Sequence, residues 1–220
     1  MYAAMSEALE TFGADDDIRV GIIRGGNDFT AGNDLRDFLN ASGTGDRSAL
    51  DAIVEFLTRL NEFPKPLVAA VRGNAVGVGT TMLLHADAVI AGTTARFRLP
   101  FVQLGLVPEA GSSLLLPLAV GRLRAAWMLL AGDFFSADEA FAAGLVTTVV
   151  ADERVDQTAD EIAARLAALP PVAVLETKRL IREAIAKDVR SQMDAEVAAF
   201  SERLDSDEFR NAVTQTLARK

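Results

Sequence analysis

Cysteine is absent from the 220 residues of the sequence, and His85 is its only histidine. The lack of thiols excludes disulfide bonds and metal sites built on thiolates. A single histidine argues against histidine-rich metal sites and most catalytic triads, so we predict no metal site. A chain without cysteine is also compatible with the cytoplasm, which is the location that we predict.

Positive charge and long apolar runs are scarce as well. Lysine and arginine number 22 against 31 acidic residues, which gives a formal net charge of −9. This charge argues against nucleic acid as a partner, and it disfavours polyanionic ligands unless local basic residues offset it. The longest apolar stretches, near 66–71 and 114–120, are too short to span a bilayer. We therefore predict neither nucleic-acid nor membrane binding.

The pattern that is present alternates strands with helices. Half of the residues are hydrophobic, enough for one substantial core. Apolar runs predict strands at 18–24, 67–71, 87–91, 95–98 and 145–150. Helical periodicity marks 1–13, 46–62 and nearly everything beyond 111, including a capping box at Ser136 and Glu139. This order predicts an α/β core over 1–150 with a largely parallel sheet, and a C-terminal helical region over 151–220.

Two glycine-bearing turns, Phe29–Leu35 and Gly73–Gly79, each follow a predicted strand. Glycine lets a backbone turn sharply and present unpaired N–H groups, and a helix start adds further free donors. Two such donors aimed at one point would form an oxyanion hole. The alternative is that both segments are only tight connections between a strand and a helix. Glycine spacing by itself leaves both interpretations open.

Glu109 is the only acid between Asp87 and Asp133, and its sequence neighbours are mostly apolar. Apolar surroundings disfavour the charged form of a carboxyl group and make it a stronger base near neutral pH. Glu109 also lies where a helix is predicted to begin, so it could equally be an acid that interacts with the helix dipole.

Other polar residues have simpler explanations. Asp34 and Asp87 lie at junctions between predicted elements and are expected to be caps or ion-pair partners, and His85 is expected to be a packed, hydrogen-bonded residue. Ser112 together with His85 leaves a serine hydrolase as a formal alternative, although the segment lacks the final glycine of a nucleophile elbow. Neither a dinucleotide fingerprint nor a Walker loop is present in the sequence.

These segments, in this order, resemble the enoyl-CoA hydratase/isomerase (crotonase) family. Phe29–Leu35 matches Phe-x-Ala-Gly-x-Asp-Leu, and Gly73–Gly79 matches Gly-x-Ala-x-Gly-x-Gly. Further matches run through 86–91, 95–97, 104–108, 136–146 and 177–180. The resemblance implies a ClpP/crotonase-like α/β fold of repeated ββα units, with a C-terminal helical region for oligomerisation into a homotrimer or a dimer of trimers.

The family pattern also implies roles for individual residues. The backbone N–H groups of Asn33 and Val78 would form the oxyanion hole, and Glu109 would be the catalytic residue. An acyl-CoA thioester would be the substrate, with coenzyme A as part of it and no separate cofactor. The residues expected to bind this substrate are Ala31, Asp34, Leu35, Arg36, Gly77 and Phe101.

The resemblance is closest to the peroxisomal-type Δ3,Δ2-enoyl-CoA isomerases, because hydratases of the family carry glutamates where this chain has Thr81 and Phe101. The implied function is therefore movement of a double bond through a thioester enolate in fatty-acid oxidation. A 2-enoyl-CoA hydratase and a non-catalytic acyl-CoA-binding subunit are the alternatives. Family chains usually begin a few tens of residues earlier, so the family's N-terminal strand segment is expected to be absent here.

Overall fold

A computed structural model of the chain describes residues 1–218. It contains helices and strands in alternation, followed by helices alone. The helices are α1 Tyr2–Ala14, α2 Leu35–Thr44, α3 Ser48–Glu62, α4 Val78–Thr81, α5 Ser112–Val120, α6 Arg122–Ala131, α7 Ala137–Ala143, α8 Val155–Ala167, α9 Pro171–Glu183, α10 Ala186–Leu204 and α11 Asp207–Ala218. The strands are β1 Gly21–Arg24, β2 Leu67–Val71, β3 Asn74–Val76, β4 Ala88–Gly92, β5 Arg96–Arg98, β6 Phe135–Ser136 and β7 Thr148–Val150.

The strands form two sheets. The larger is wholly parallel, in the order β1-β2-β4-β7, with Val68 of β2 paired with Ile22 on one side and Ala88 on the other. The smaller has the order β3-β5-β6, in which β3 and β5 are parallel while β5 and β6 are antiparallel. Parallel strands need crossover connections, which the intervening helices supply.

Strand β2 separates two apolar layers. All of its residues are buried, as expected for a parallel strand covered on both faces. Successive side chains point to opposite faces, so Val68 and Ala70 pack with Val155 and Ala159 of α8, while Leu67, Ala69 and Val71 enter the main core. Helix α8 therefore belongs to the packing of the sheet, although it lies beyond residue 150. The proposed division at that residue stays a prediction.

The structure corrects several predicted elements. The strand predicted at 18–24 begins only at Gly21, and the one predicted at 145–150 begins at Thr148. The Gly73–Gly79 turn contains strand β3, and the helical segment after 111 contains β6, which the periodicity missed. Both are very short strands that exist through pairing with β5, a tertiary contact that local sequence does not encode. The capping box at Ser136 is confirmed, with both of its hydrogen bonds formed.

The C-terminal helices pack around the core. Helix α10 contacts α5 and α2, and α11 contacts α2 and the 3-10 turn Val102–Leu104. No helix within residues 1–218 is both long enough and apolar enough to cross a membrane.

Candidate functional site

A cavity of about 580 Å³ lies between the α/β core and the C-terminal helices. All of the residues predicted for the site line it: Ala31, Asn33, Asp34, Leu35, Arg36, Gly77, Val78, Phe101 and Glu109. Leu106, Phe38, Leu57 and Phe200 add apolar lining. The fold thus brings together residues that are far apart in sequence, in a cavity of a size typical for small-molecule sites.

The two glycine turns meet through backbone hydrogen bonds. Thr30 donates its N–H to the carbonyl of Asn74 at 2.9 Å, and its own carbonyl accepts from Val76 at 3.0 Å. Gly79 makes this approach possible, because a Cβ atom there would lie 2.3 Å from Cγ2 of Thr30. The turns after β1 and β3 are therefore fixed side by side.

Each turn leaves a backbone donor free at the cavity. Within residues 1–218, neither the N–H of Asn33 nor that of Val78 donates to a protein acceptor. Val78 is the first residue of α4, where helical geometry provides no partner for the N–H. Gly32, at φ +88°, makes the sharp bend that precedes Asn33. Asn33 and Val78 both line the cavity, and the role of their N–H groups in an oxyanion hole stays a prediction.

Asp34 and Arg36 follow directly in the first turn of α2. Asp34 is the N-cap of this helix, and its carboxylate accepts from the backbone N–H of Arg36 at 2.9 Å. The structural role expected for Asp34 is thereby confirmed, while the side chain of Arg36 is exposed at the cavity. Arg98 also lines the cavity, where it donates to the carbonyl of Gly132 at 2.8 Å. Sequence reasoning did not single out Arg98.

Glu109 lies in the loop before α5, on a backbone that is held from several sides. Ala110 has φ +64°, a left-handed conformation that is uncommon for a residue with a Cβ. His85 Nε2 lies 2.8 Å from the Ala110 carbonyl oxygen, which can only accept, so Nε2 carries the proton. Burial lowers the pKa of His85 to about 4, so the ring is neutral at neutral pH.

Glu196 of α10 holds the other side of this loop. Its buried carboxylate accepts from the N–H of Gly111 at 2.6 Å and from the N–H of Ser113 at 2.8 Å. These groups lie at the N-terminus of α5, where free N–H donors favour an anion. Desolvation nevertheless raises the pKa of Glu196. Sequence reasoning missed this contact, because it joins residues 85 positions apart.

The carboxyl group of Glu109 has two inequivalent oxygens. Oε1 accepts a hydrogen bond from the Thr81 hydroxyl at the end of α4. Oε2 is buried and has no hydrogen-bond partner among the described residues. Burial, followed by the negative charge of Glu196, raises the pKa of Glu109 to about 7 against the opposing effect of Thr81. A carboxyl group of this kind can take up and release a proton near neutral pH.

Tyr2 of α1 supports the Phe29–Leu35 turn at Asn33. Its hydroxyl donates to Oδ1 of Asn33, and its ring packs against Phe56 with 5.5 Å between the ring centroids. Burial, and to a smaller extent the nearby Glu109, raises the pKa of Tyr2, so the phenol stays protonated. Tyr2 is the only tyrosine in the chain, which was the one signal that could have drawn attention to it.

The structure does not support a serine nucleophile. Ser112 Oγ donates to the carbonyl of Glu109 at 2.5 Å, whereas His85 bonds to the carbonyl of Ala110. Asp87 accepts from Leu67 and from Lys178, as expected of an ion-pair partner. No group of three or more potential metal-ligating side chains lies within residues 1–218.

Comparison with known proteins gives matches over nearly the whole chain. A sequence model described as enoyl-CoA hydratase/isomerase matches residues 1–219. The 1,2-epoxyphenylacetyl-CoA isomerase of Escherichia coli (strain K12) is 36% identical over 226 residues, which cover 100% of this chain and 86% of that protein. Enoyl-CoA delta isomerase 2 of Rattus norvegicus is 38% identical, over 100% of this chain and 57% of that protein. The chain thus spans little more than half of the rat protein.

Among solved structures, an enoyl-CoA hydratase/isomerase from Pseudoalteromonas atlantica T6c superposes with a TM-score of 0.92 at 46% sequence identity. The match covers 100% of this chain and 86% of that one. The fold class predicted from the sequence is thereby confirmed.

Proposed function

This chain belongs to the enoyl-CoA hydratase/isomerase family of acyl-CoA enzymes, and we propose that within it the chain is a Δ3,Δ2-enoyl-CoA isomerase. The observation that carries the proposal is the burial of the Glu109 carboxyl group at the cavity. Asp34, Glu109 and Asp194 are the carboxyl groups that line the cavity, and of these Glu109 is partly buried whereas Asp34 and Asp194 are exposed. It is also the one with a buried, unpartnered oxygen.

The proposed reaction moves one proton and one double bond. The Glu109 carboxylate removes a proton from C2 of a 3-enoyl thioester, and the electron pair of that C–H bond moves toward the thioester oxygen. The resulting dienolate oxygen accepts hydrogen bonds from the N–H groups of Asn33 and Val78. The enolate then collapses as Glu109 returns the proton to C4, so the double bond shifts from C3–C4 to C2–C3. No atom is gained or lost.

Hydration is the alternative that this site supports less well. Addition of water needs a group that activates and positions the water, besides a proton donor for the carbon. At the two positions where family hydratases carry glutamates, this chain has Thr81 and the buried Phe101. A single carboxyl group suffices for an internal proton transfer, so isomerisation fits the residues present.

A non-catalytic acyl-CoA-binding subunit is the second alternative. It requires neither free backbone donors nor a carboxyl group whose pKa is near 7, and both are present. Arg36 is our candidate for a contact to the coenzyme A moiety, since its exposed guanidinium lies at the cavity and offsets the negative net charge locally.

A paired assay tests the proposed function. Wild-type protein and Glu109→Gln are given a 3-enoyl-CoA and a 2-trans-enoyl-CoA separately, and formation of the conjugated thioester and of the hydrated product is followed. We expect the wild type to convert the first substrate, and the variant to lose about 1,000-fold in kcat. Efficient hydration of the second substrate that persists in the variant would show that the chemistry lies elsewhere.

Self-association as a homotrimer or dimer of trimers is also a proposal. Large apolar side chains are exposed along three helices. In α5 and α6 they are Leu118, Leu123, Trp127 and Leu130, and in α9 they are Val172, Leu180 and Ile181. Apolar surface of this kind favours burial against another copy. Light scattering of the purified protein would give the number of copies. The cytoplasmic location stays a prediction.

A further inference from the structure

We propose that Thr81 is a positioning residue of the reaction: its hydroxyl holds Oε1 of Glu109, so that Oε2 is the oxygen that exchanges protons with the substrate. This inference rests on the proposed function and extends it, because it assigns different tasks to the two oxygens of one carboxyl group. It also gives a task to a position where hydratases of the family carry a glutamate.

The hydroxyl of Thr81 has one good acceptor. Its side chain is fully buried, and Oγ1 makes a close hydrogen bond to Oε1 of Glu109. The carbonyl oxygens of Gly77 and Val78 are each 3.4 Å away, which is long for a hydroxyl donor. Because a hydroxyl has only one proton to donate, that proton goes to Glu109.

The other oxygen is left for the substrate. Oε2 is buried without any hydrogen-bond partner among the described residues, although Glu109 lines the cavity. An unpartnered buried carboxylate oxygen is costly, and it is the more basic of the two because nothing stabilises its charge. After proton uptake on Oε2, Oε1 still accepts from Thr81. The same oxygen can therefore take the proton from C2 and return it to C4 without rotation of the carboxyl group.

Helix α4 links this contact to the oxyanion hole. The helix has only four residues, with Val78 at its start and Thr81 at its end. A single helical turn thus carries the N–H proposed to hold the thioester oxygen and the hydroxyl that orients the base. Because both groups belong to one buried rigid turn, their separation is fixed, which is what a positioned near-attack geometry requires.

The groups around Glu109 set the direction of the expected pH effect. Burial has the largest effect and raises the pKa of Glu109, the Thr81 hydrogen bond lowers it, and the charge of Glu196 of α10 raises it by a smaller amount. Tyr2 of α1 stays a neutral phenol, and the buried His85 is neutral above about pH 4. Removal of the Thr81 hydroxyl should therefore raise the pKa of Glu109.

Thr81→Val tests the assignment, with Thr81→Ser as the conservative variant and Thr80→Val as the matched control. Thr80 is equally buried in the same turn, but its hydroxyl donates to the carbonyl of Ala75 at 2.6 Å. We expect Thr81→Val to lower kcat about tenfold with KM within about twofold, since one hydrogen bond is lost. The acidic limb of the kcat/KM profile should move to higher pH by on the order of one unit. Thr81→Ser should restore both, and Thr80→Val should not move the limb.

Carbon-13 NMR of the Glu109 carboxyl group, assigned by its loss in Glu109→Gln, measures the same titration without substrate. A shift to higher pH in Thr81→Val supports the positioning role even if the wild type fails to convert 3-enoyl thioesters, which would overturn only the isomerase proposal. Equal midpoints in wild type, Thr81→Val and Thr80→Val would reduce Thr81 to a packing residue. If Thr81→Val does not fold, Thr81→Ala carries the same test.

Discussion

The turns Phe29–Leu35 and Gly73–Gly79 offer the cavity their backbone N–H groups, whereas the loop before α5 offers it the side chain of Glu109. Neighbouring strands fix the turns, through hydrogen bonds between Thr30 and β3. Contacts from distant segments hold the loop, namely Thr81, His85 and Glu196. The contribution of the two turns depends on where the backbone bends, whereas the contribution of the loop depends on which side chains surround Glu109.

The largest effect on activity is expected where an added side chain would disturb one of the two turns that contribute backbone N–H groups. Gly32→Ala places a Cβ on a residue at φ +88°, 3.0 Å from the carbonyl oxygen of Val76. The turn must shift, and the Asn33 N–H moves with it. We expect kcat to fall by about 100- to 1,000-fold, as for loss of one oxyanion donor. Steady-state assay of the isomerase reaction measures this effect.

Gly26→Ala is the control for this variant, because it lies near the same turn and a Cβ there meets nothing within 4 Å. If Gly32→Ala keeps its activity within about twofold of Gly26→Ala, the N–H of Asn33 is not a donor to the reacting oxygen.

The buried carboxyl group of Glu109 should lower the free energy of unfolding by an amount that depends on pH. The pKa of Glu109 is raised from 4.5 to about 7 in the folded protein, so the folded state binds this proton more tightly than the unfolded state. Its contribution to stability is therefore highest below pH 4.5 and falls as the pH rises to about 7. The glutamine of Glu109→Gln cannot ionise. As the pH rises from 4.5 to about 7, the free energy of unfolding of this variant should therefore increase relative to that of the wild type by up to about 3 kcal/mol.

Urea unfolding at pH 5 and pH 8, at one protein concentration, measures the difference. Glu202→Gln, at an exposed position of α10, is the control and should show the same offset from wild type at both pH values. If the difference in the free energy of unfolding between Glu109→Gln and the wild type is also the same at both pH values, the folded protein does not raise the pKa of Glu109.

The smallest effect on activity is expected at Tyr2, whose side chain supports the Phe29–Leu35 turn through Asn33. Tyr2→Phe removes the hydrogen bond to Asn33 and keeps the ring that packs on Phe56. We expect kcat/KM to fall about two- to fivefold, equivalent to a net hydrogen bond of about 0.5–1 kcal/mol. A loss beyond about 100-fold would show that the turn depends on side chains as strongly as the Glu109 loop does.

The same contrast explains what the sequence could predict. The position of both turns follows from glycine spacing after apolar strands, and Glu109 stands out as an isolated acid. The left-handed Ala110 could not be predicted, since alanine rarely adopts this conformation without support. That support comes from His85 and Glu196, which only the folded chain brings to the loop.

Element boundaries follow the same rule. The fully apolar Leu67–Val71 was predicted to the residue, because a run of buried residues is visible in the sequence. The three-residue β3 was not, because its existence depends on β5 and Thr30. Local patterns thus predicted most of the long elements, although not the ten-residue α2, while the short strands and the supports of Glu109 required tertiary structure.

The contact from Glu196 also has a consequence for the order of events during synthesis. A polypeptide leaves the ribosome N-terminus first, and its domains begin to fold as they emerge. The strands and both glycine turns precede α10 in the chain and therefore emerge before it. The loop of Glu109 acquires the acceptor for Gly111 and Ser113 only when residue 196 arrives. A nascent chain therefore exposes every strand of the sheet before the loop of Glu109 gains the contacts that Glu196 supplies.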